Sequence, residues 1–427
     1  MSERKRRVVI SGIGAVTPGG PDVASNITGL ELGRSFITRL GTPHIQEVQI
    51  AGEVRGFDPS AYLTIKEQRA LTRCVWLGWA AAVQSLNDSG IIDQLSNIPI
   101  LDKDQLSKRP NDRNPEWLGT NYHVRRVKAE IGTAVGGSPS FLETERTTKS
   151  IFRLDISQLL GFFQERLDLR GENHVRVDAC ASSIIALGEA FRSVQREEAD
   201  LVLAGGTEAP FCYPAFHDFN RMRSLSKRND EPQRASRPLD RDRDGYVMSE
   251  AAFMYVVEEY EAAKRRGAPI YGEIIGYAYL PDTSSPFGAN RYATRNAIEA
   301  TIENSGLDIG DLDQYVFHAA GTQEGDPEEA EAYRMVCGSH ISRIYGSTPK
   351  STYGHPQGAA GAAGVFKSLM EMRNGYVYRN PNQENPMEEA QGLRLQRQTE
   401  QANLRFSIVM GIGLHGPNAG LVLASLN

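Results

Sequence analysis

Short apolar runs rich in β-branched residues alternate along the chain with segments of helical periodicity. The run VVIS at residues 8–11 predicts a buried strand, and similar runs occupy residues 130–134, 200–204, 252–257, 271–275, 313–318 and 406–410. Helical patterns separate most of these runs, at residues 66–89, 183–197, 256–266, 290–305, 327–336 and 359–373. Strands that alternate with helices predict an α/β protein built in layers.

The chain shows one internal boundary and one irregular segment. A polar, helix-ending stretch at residues 264–269 divides it into halves 1–265 and 266–427. The stretch is too short for a flexible linker, so we expect the halves to share one packed body. Residues 94–120 are rich in proline and asparagine, which predicts a surface insertion.

Composition excludes several classes of protein. The 427 residues include 40% hydrophobic and 23% charged side chains, and the net charge of −6 argues against nucleic-acid binding. The longest apolar stretch, residues 74–83, is too short to span a membrane. The four cysteines and eight histidines lack CxxC and HxxxH spacing, so no metal site is expected, and sparse cysteines suit the reducing cytoplasm. The first strand is not followed by the dinucleotide-binding fingerprint G-x-G-x-x-G, because Thr17 stands at the position of its third glycine.

One cysteine lies where a predicted strand gives way to a predicted helix. Cys180 stands in the run VDACASS at 177–183, and apolar residues recur at helical spacing after it. On the first turn of a helix, free N–H groups and the helix dipole favour thiolate over thiol, so we expect the sulfur of Cys180 to be nucleophilic near neutral pH. Its small neighbours would let an acyl chain approach. Cys180 is therefore the candidate nucleophile.

Two histidines and a lysine follow in segments of small residues. His318 ends a predicted strand before Ala-Ala-Gly-Thr, and Lys350 and His355 lie in the run KSTYGHPQGAAG. Two imidazoles that donate N–H bonds could stabilise a thioester carbonyl as it becomes an enolate. Lys350 would keep the local charge positive or hold a network in place. Together with Cys180, these groups indicate carbon–carbon bond formation between thioesters.

These residues and the motifs around them resemble the β-ketoacyl synthases of the elongating class, within the thiolase-like superfamily. The resemblance includes RRVVISGIG at 6–14, DACASS at 178–183, LVLAGGTEA at 201–209, RASRPLDRDRDGYVMSEAA at 234–252 and GIGLHGPNAGLVL at 411–423. It implies a five-layered α-β-α-β-α fold with pseudo-twofold halves. The cysteine belongs to the half 1–265, and the histidines and lysine belong to the half 266–427.

The resemblance also implies a two-stage reaction. Cys180 would accept an acyl chain from the phosphopantetheine of an acyl carrier protein, and a malonyl unit on a second carrier would lose carbon dioxide and attack that chain. His318 and His355 would be the decarboxylation and enolate-stabilising pair, with Lys350 as the supporting lysine. The backbone N–H groups of Cys180 and Leu414 would form the oxyanion hole. No cofactor is implied beyond the phosphopantetheine of the carrier.

Several positions depart from the family pattern. The implied gate of the acyl pocket consists of Ile412, Gly413, Leu414 and His415. The family has Gly-Phe-Gly-Gly where residues 413–416 read Gly-Leu-His-Gly, so His415 removes a glycine's φ freedom. Ala320 stands in place of a hydroxyl residue, and Gly364 in place of a glutamate. These departures favour a specialised polyketide or polyene pathway over housekeeping fatty-acid synthesis.

Two alternatives remain open. One is a non-condensing partner subunit of a heterodimer, although such subunits normally lack the cysteine. The other is an acyltransferase that uses Cys180 without decarboxylation, which Ala320 and Gly364 keep open.

The implied partners are an acyl carrier protein and a second ketosynthase-like subunit, in a homodimer or a heterodimer. Carrier proteins are acidic, so their docking surface should be basic. Two clusters fit that role: Lys66, Arg69 and Arg73, spaced to share one face of a predicted helix, and Arg125 with Arg126.

Overall fold

The computed structural model describes residues 5–92, 118, 120, 122–137, 155–284 and 289–426. The predicted surface insertion at 94–120 lies outside this part of the chain, except for Leu118 and Thr120. The strands of the described residues are β1 (Val8–Val16), β2 (Thr38–Arg39), β3 (Ile50–Ala51), β4 (Val127–Gly132), β5 (His174–Arg176), β6 (Leu201–Glu208), β7 (Ala251–Glu259), β8 (Gly272–Pro281), β9 (Gln314–Val316), β10 (Tyr345–Ser347), β11 (Tyr376–Val377), β12 (Arg394–Leu395), β13 (Glu400–Gln401), β14 (Phe406–Ile412) and β15 (Pro417–Ala424).

The α-helices of the same residues are α1 (Val23–Leu32), α2 (Ile65–Ala70), α3 (Arg73–Asp88), α4 (Ser157–Leu167), α5 (Ser182–Gln195), α6 (Tyr213–Arg221), α7 (Tyr260–Arg265), α8 (Arg291–Ser305), α9 (Gly325–Cys337), α10 (Lys350–Tyr353) and α11 (Ala360–Asn374). No helix in these described parts of the chain has the length and apolar character needed to cross a membrane.

Each strand expected from the apolar runs is present, but one predicted helix is wrong. The single helix expected at residues 66–89 is two helices, α2 and α3, separated by extended backbone at Leu71 and Thr72. A capping box between Thr64 and Glu67 begins α2. The N–H of Thr72 then donates to Gln158 of α4 at 3.3 Å, so α2 does not continue into α3.

Eleven of the described strands form one mixed sheet that repeats a single topology twice. The sheet order is β12-β10-β9-β14-β15-β8-β1-β7-β6-β4-β5. The first half reads β5-β4-β6-β7-β1 and the second reads β10-β9-β14-β15-β8, with β12 added at its edge. Corresponding pairs also share their direction: β4 and β9 pair in parallel with β6 and β14, while β7 and β15 pair antiparallel with β1 and β8.

The two halves meet through their first strands. β1 and β8 pair antiparallel, with Val8 opposite Ile274 and Ile10 opposite Gly272. The repeated order and this edge-to-edge pairing give the pseudo-twofold relation expected from the sequence. The predicted boundary between residues 265 and 266 falls at the end of α7, and it stays a prediction.

Helices cover the sheet in three layers. On one outer face α3 packs on β1, β6 and β7, and on the other α8 packs on β8 and β15 and against α9. Between the halves, α5 contacts β4 and β6 on one side and β8 and β15 on the other, and it also contacts α11. The five-layered α-β-α-β-α arrangement predicted from the resemblance is therefore confirmed.

Candidate active site

Cys180 lies on a sharp turn between β5 and α5. Residues 179–181 form a 3₁₀ turn that leads directly into α5, and Ala179 has a φ of 50°, which is uncommon for a residue with a side chain. The hydroxyl of Ser182 fixes the turn, because it donates to the carbonyl of Ala179 at 2.6 Å and accepts from the N–H of Asp178 at 2.9 Å. The thiol is held, as predicted, at the beginning of a helix.

Burial and the groups around the sulfur act on the pKa of Cys180 in opposite directions. Burial raises the pKa of its thiol to about 11, although the charge of Lys350 and the N–H of Leu414 lower it. The buried carboxylate of Glu208 acts in the same direction as burial. Desolvation therefore outweighs the favourable groups around the sulfur, and the nucleophilicity of Cys180 near neutral pH stays a prediction.

Two carboxylates at the start of α9 hold the loop that carries His318. Glu329 accepts the N–H of His318 at 2.7 Å and the N–H of Ala319 at 2.6 Å. Asp326 accepts the N–H groups of residues 320–322 at 2.9–3.1 Å. The loop after β9 is thus wrapped around both side chains. Ala320 takes part through its backbone, so the side-chain hydroxyl that the family has there is not needed to shape the loop.

Lys350 connects this loop to the second imidazole segment. Its Nζ donates to the carbonyl of His318 and lies 3.4 Å from that residue's Nδ1. Burial lowers the pKa of Lys350, and the negative charge of Glu329 opposes that effect. Burial in turn raises the pKa of Glu329 to about 7 and the charge of Lys350 lowers it, so each group favours the charged form of the other.

Gly364 leaves no room for the glutamate that the family has there. A Cβ on Gly364 would stand 2.7 Å from Cγ1 of Val409 and 3.2 Å from Cγ1 of Val316. Apolar side chains therefore fill the place where a glutamate would reach.

His355 is buried beside His318. Its backbone N–H donates to Val247 at 2.7 Å and its carbonyl accepts from Ser249 at 3.1 Å. The two imidazole rings lie nearly perpendicular, with centroids 5.6 Å apart. Burial holds the pKa of both imidazoles well below the usual value, and the charge of Lys350 adds to the effect. At neutral pH each ring is therefore uncharged, with one N–H to donate.

The gate residues form the turn between β14 and β15. The N–H of Gly413 donates to the carbonyl of Pro417 at 2.8 Å. The N–H of Leu414 donates a hydrogen bond to the sulfur of Cys180. Leu414 is 37% exposed at the tip of the turn. His415 adopts a φ of 70°, a conformation that costs a non-glycine residue about 1 kcal/mol. The turn thus keeps a glycine-like shape without a glycine at that position.

Three buried side chains of the site were not predicted. Tyr246 packs edge-on against His355, with ring centroids 5.1 Å apart, and it lies within electrostatic reach of Cys180. The side-chain amide of Gln357 interacts with the phenol of Tyr246 and lowers the pKa of that phenol, against the larger effect of burial. Glu208 ends β6 and accepts the N–H groups of Ala134 at 2.6 Å and Gly358 at 3.1 Å. The one signal in the sequence was that all three lie within segments that carry the family resemblance or the histidine run.

The first predicted docking cluster is only partly assembled. Lys66 and Arg69 are exposed on α2. Arg73 begins α3, and its guanidinium holds the buried carboxylate of Glu250 at 2.6 and 2.7 Å. The prediction that all three share one helix face is therefore wrong, because the helix breaks before Arg73.

The second docking cluster also contains one engaged guanidinium. Arg126 holds the carboxylate of Asp200 at 2.5 and 2.8 Å, while Arg125 is exposed on the same turn. Arg126 therefore has a structural role, since it fastens the beginning of β4 to the residue before β6.

The described residues contain no group of three or more histidine, cysteine, aspartate or glutamate side chains that could hold a metal ion.

The duplicated sheet with two helices between its halves is the fold of the thiolase-like enzymes. Residues 121–263 match the beta-ketoacyl synthase N-terminal domain, and residues 271–384 match the beta-ketoacyl synthase C-terminal domain. A 3-oxoacyl-[acyl-carrier-protein] synthase 2 of Coxiella burnetii is 32% identical over 98% of this chain and 99% of the relative. The chain belongs to the beta-ketoacyl synthase family, and it is a condensing acyltransferase.

Two further likenesses agree with this assignment. A 3-oxoacyl-[acyl-carrier-protein] synthase 2 of Synechocystis is 33% identical over 90% of this chain and 89% of the relative. The solved structure of the ishigamide ketosynthase/chain length factor is 25% identical with a TM-score of 0.85, over 99% of this chain and 100% of that one.

We predict that Lys350→Met slows alkylation of Cys180. The charge of Lys350 lowers the pKa of the thiol, so its loss raises that pKa and reduces the thiolate fraction at any pH below it. We expect the rate of iodoacetamide alkylation at pH 8, followed by intact mass, to fall about 3- to 10-fold, since one pKa unit is tenfold in thiolate. Lys66→Met, on exposed α2, is the control. An equal or faster rate in Lys350→Met contradicts the prediction.

Proposed function

We propose that the chain catalyses decarboxylative Claisen condensation between thioesters carried on acyl carrier protein, with Cys180 as nucleophile. The observation that carries this proposal is the pairing of a half-buried thiol, to which the N–H of Leu414 donates, with two neutral imidazoles. His318 and His355 lie edge-on to each other with centroids 5.6 Å apart. Each can donate an N–H bond to one thioester oxygen, as an enolate in a buried site requires.

The first stage is transfer of the acyl chain. The sulfur of Cys180 attacks the carbonyl carbon of the carrier thioester, and the N–H groups of Cys180 and Leu414 stabilise the oxyanion. The carrier thiol then leaves, and the proton lost by Cys180 ends on it. Lys350 favours the transient thiolate, because its charge already lowers the pKa of that thiol.

The second stage forms the carbon–carbon bond. His318 and His355 donate to the thioester oxygen of the malonyl group while its carboxylate leaves as carbon dioxide. The electrons of the broken bond pass to the enolate, whose carbon attacks the acyl carbonyl on Cys180. The sulfur leaves as a thiolate and is reprotonated.

A specialised pathway, polyketide or polyene, fits the departures better than housekeeping fatty-acid synthesis. The gate turn carries Leu414 and a left-handed His415, and Val409 fills the place of the family's glutamate beside Gly364. The likeness to a ketosynthase/chain length factor structure supports a second ketosynthase-like subunit as partner. The free thiol of Cys180 suits a reducing cytoplasm. Equal turnover of ordinary saturated chains would contradict this pathway.

We expect Cys180→Ala to abolish acyl loading, because no other thiol occupies the turn before α5. The measurement is intact-protein mass after incubation with medium-chain acyl carrier protein. The parent and the control Cys212→Ala should each gain the mass of one acyl group. Loading that survives in Cys180→Ala would show that the nucleophile lies elsewhere. Absence of loading in the parent would favour the partner-subunit alternative.

His318→Ala and His355→Ala should load the acyl chain but lose decarboxylation. Each variant removes one donor to the malonyl thioester oxygen, so we expect release of labelled carbon dioxide from malonyl carrier to fall about 10²- to 10⁴-fold. The mass gain on Cys180 serves as the control for folding in the same samples. An acylated parent that releases no carbon dioxide would favour an acyltransferase without decarboxylation.

The carrier is proposed to dock on Lys66 and Arg69, with Arg125 as a second contact, because these three side chains are exposed, whereas Arg73 and Arg126 are half-buried. Reversing Lys66 and Arg69 to glutamate should raise KM for the acyl carrier with kcat unchanged, and the difference should shrink at high salt. The matched control reverses Lys264 and Arg265, which are exposed at the end of α7. Equal KM in both double variants would count against this surface.

A further inference from the structure

Tyr246 places a phenol in the active site where the mechanism does not use one. The residue is 6% exposed, its ring packs on His355, and its phenol lies within electrostatic reach of the sulfur of Cys180. Burial holds the pKa of this phenol well above its ordinary value, so its O–H remains a donor at any physiological pH. A donor is therefore fixed beside both the nucleophile and the second imidazole.

Gln357 adds a second buried donor at the same place. Its side chain is 4% exposed, and its backbone has a φ of 36°, which a residue with a side chain rarely adopts. The amide interacts with the phenol of Tyr246, yet its Nε2 forms no hydrogen bond of regular geometry with any described residue. The same holds for Nδ1 of His355. A buried polar group in this state is costly, so the arrangement is suited to a ligand that supplies an acceptor.

The ligand must present an oxygen, because the phenol and the amide nitrogen both donate. In an acyl chain on Cys180, the oxygen on the first carbon accepts hydrogen bonds from the backbone N–H groups of Cys180 and Leu414. The next oxygen that a condensation product carries is on its third carbon, as a ketone or, after reduction, a hydroxyl. That oxygen lies within a few bonds of the sulfur, and the phenol of Tyr246 lies within electrostatic reach of the same sulfur, against the ring of His355.

We propose that Tyr246 and Gln357 form a specificity-determining donor pair that binds an oxygen on the third carbon of the acyl chain carried by Cys180. The preferred chains are then 3-oxo- or 3-hydroxyacyl groups in place of saturated ones. The inference rests on the proposed acylation of Cys180 and names its substrate class. A saturated chain leaves both donors unpaired, and a site built to hydrogen bond rejects such an analogue.

The experiment is a competition between two carriers in one tube. The parent is mixed with equal amounts of hexanoyl and 3-hydroxyhexanoyl carrier protein, and intact mass gives the ratio of the two acyl groups on Cys180 at early times. We expect the parent to favour the 3-hydroxy chain, and Tyr246→Phe and Gln357→Met each to reduce that ratio about 3- to 10-fold, the effect of one lost hydrogen bond. A ratio within one sample is independent of how much of a variant is folded.

The matched control is Tyr353→Phe. It also removes a buried phenol oxygen that lacks a hydrogen bond to the described residues, but on α10 among core side chains, and the ratio should not change. A parent without preference, or a ratio that neither variant changes, overturns the inference and leaves the proposed function standing. Absence of acylation by either carrier overturns both.

One further measurement distinguishes whether the donor pair binds an oxygen of the acyl chain or the carboxylate of the malonyl extender. Hexanoyl-loaded parent and variants are given malonyl carrier, and carbon dioxide release is measured. Unchanged release with an altered loading ratio supports recognition of the acyl chain. Impaired release with an unaltered ratio would assign the donor pair to the carboxylate of the extender, and the inference about the acyl chain would be wrong.

Discussion

Close packing of two helices between the halves of the sheet is the constraint on which the site depends. A Cβ on Gly361 of α11 would stand 2.2 Å from Cγ1 of Ile184 on α5, so the helices approach at a distance that only glycine permits. The turn with Cys180 leads into α5, and the segment with His355 leads into α11. Protein interiors are closely packed and have low compressibility. This contact therefore fixes Cys180 relative to His355 more firmly than a hydrogen bond between them would.

Burial decides the protonation state of almost every group in the site. The thiol keeps its proton, both imidazoles stay neutral and the phenol of Tyr246 stays protonated, while Lys350 and Glu329 each favour the charged form of the other against burial. Acyl transfer from one thiol to another needs no net proton, so a site with little net charge suits it. Charge appears only transiently, on an oxyanion or a thiolate, and each has a fixed donor or a cation beside it.

Local patterns predicted most of the fold because its strands are apolar runs and its helices are periodic. The same patterns predicted that four site residues lie next to the ends of strands or helices, and the structure places them there: Cys180, His318, Lys350 and His355. They failed where a distant residue decides the outcome. At the helix break before Arg73, the N–H of Thr72 donates to Gln158, 86 residues away, and the partner of Arg73, Glu250, is 177 residues away.

The raised pKa of the Cys180 thiol could not be predicted for the same reason. A helix N-terminus is readable from neighbouring residues, whereas the depth at which Cys180 lies is a property of the whole packed body. The roles of Glu329, Tyr246 and Gln357 also depend on long-range contacts. Each lies in a segment that resembles the family, but nothing in the local sequence shows that a buried carboxylate balances Lys350 or that a phenol faces the sulfur.

The thiol lies in the first half of the chain and the imidazoles lie in the second half, which has a consequence for biosynthesis of the protein. The ribosome completes the half with the thiol before it makes either histidine. Strand β1 cannot pair with β8 until synthesis of the second half has begun. Many contacts join residues far apart in sequence, which makes assembly slow and late. A partly made chain therefore holds its cysteine without the groups that use it. Catalytic competence appears only when α11 has docked on α5, so activity itself reports that both halves have folded and joined.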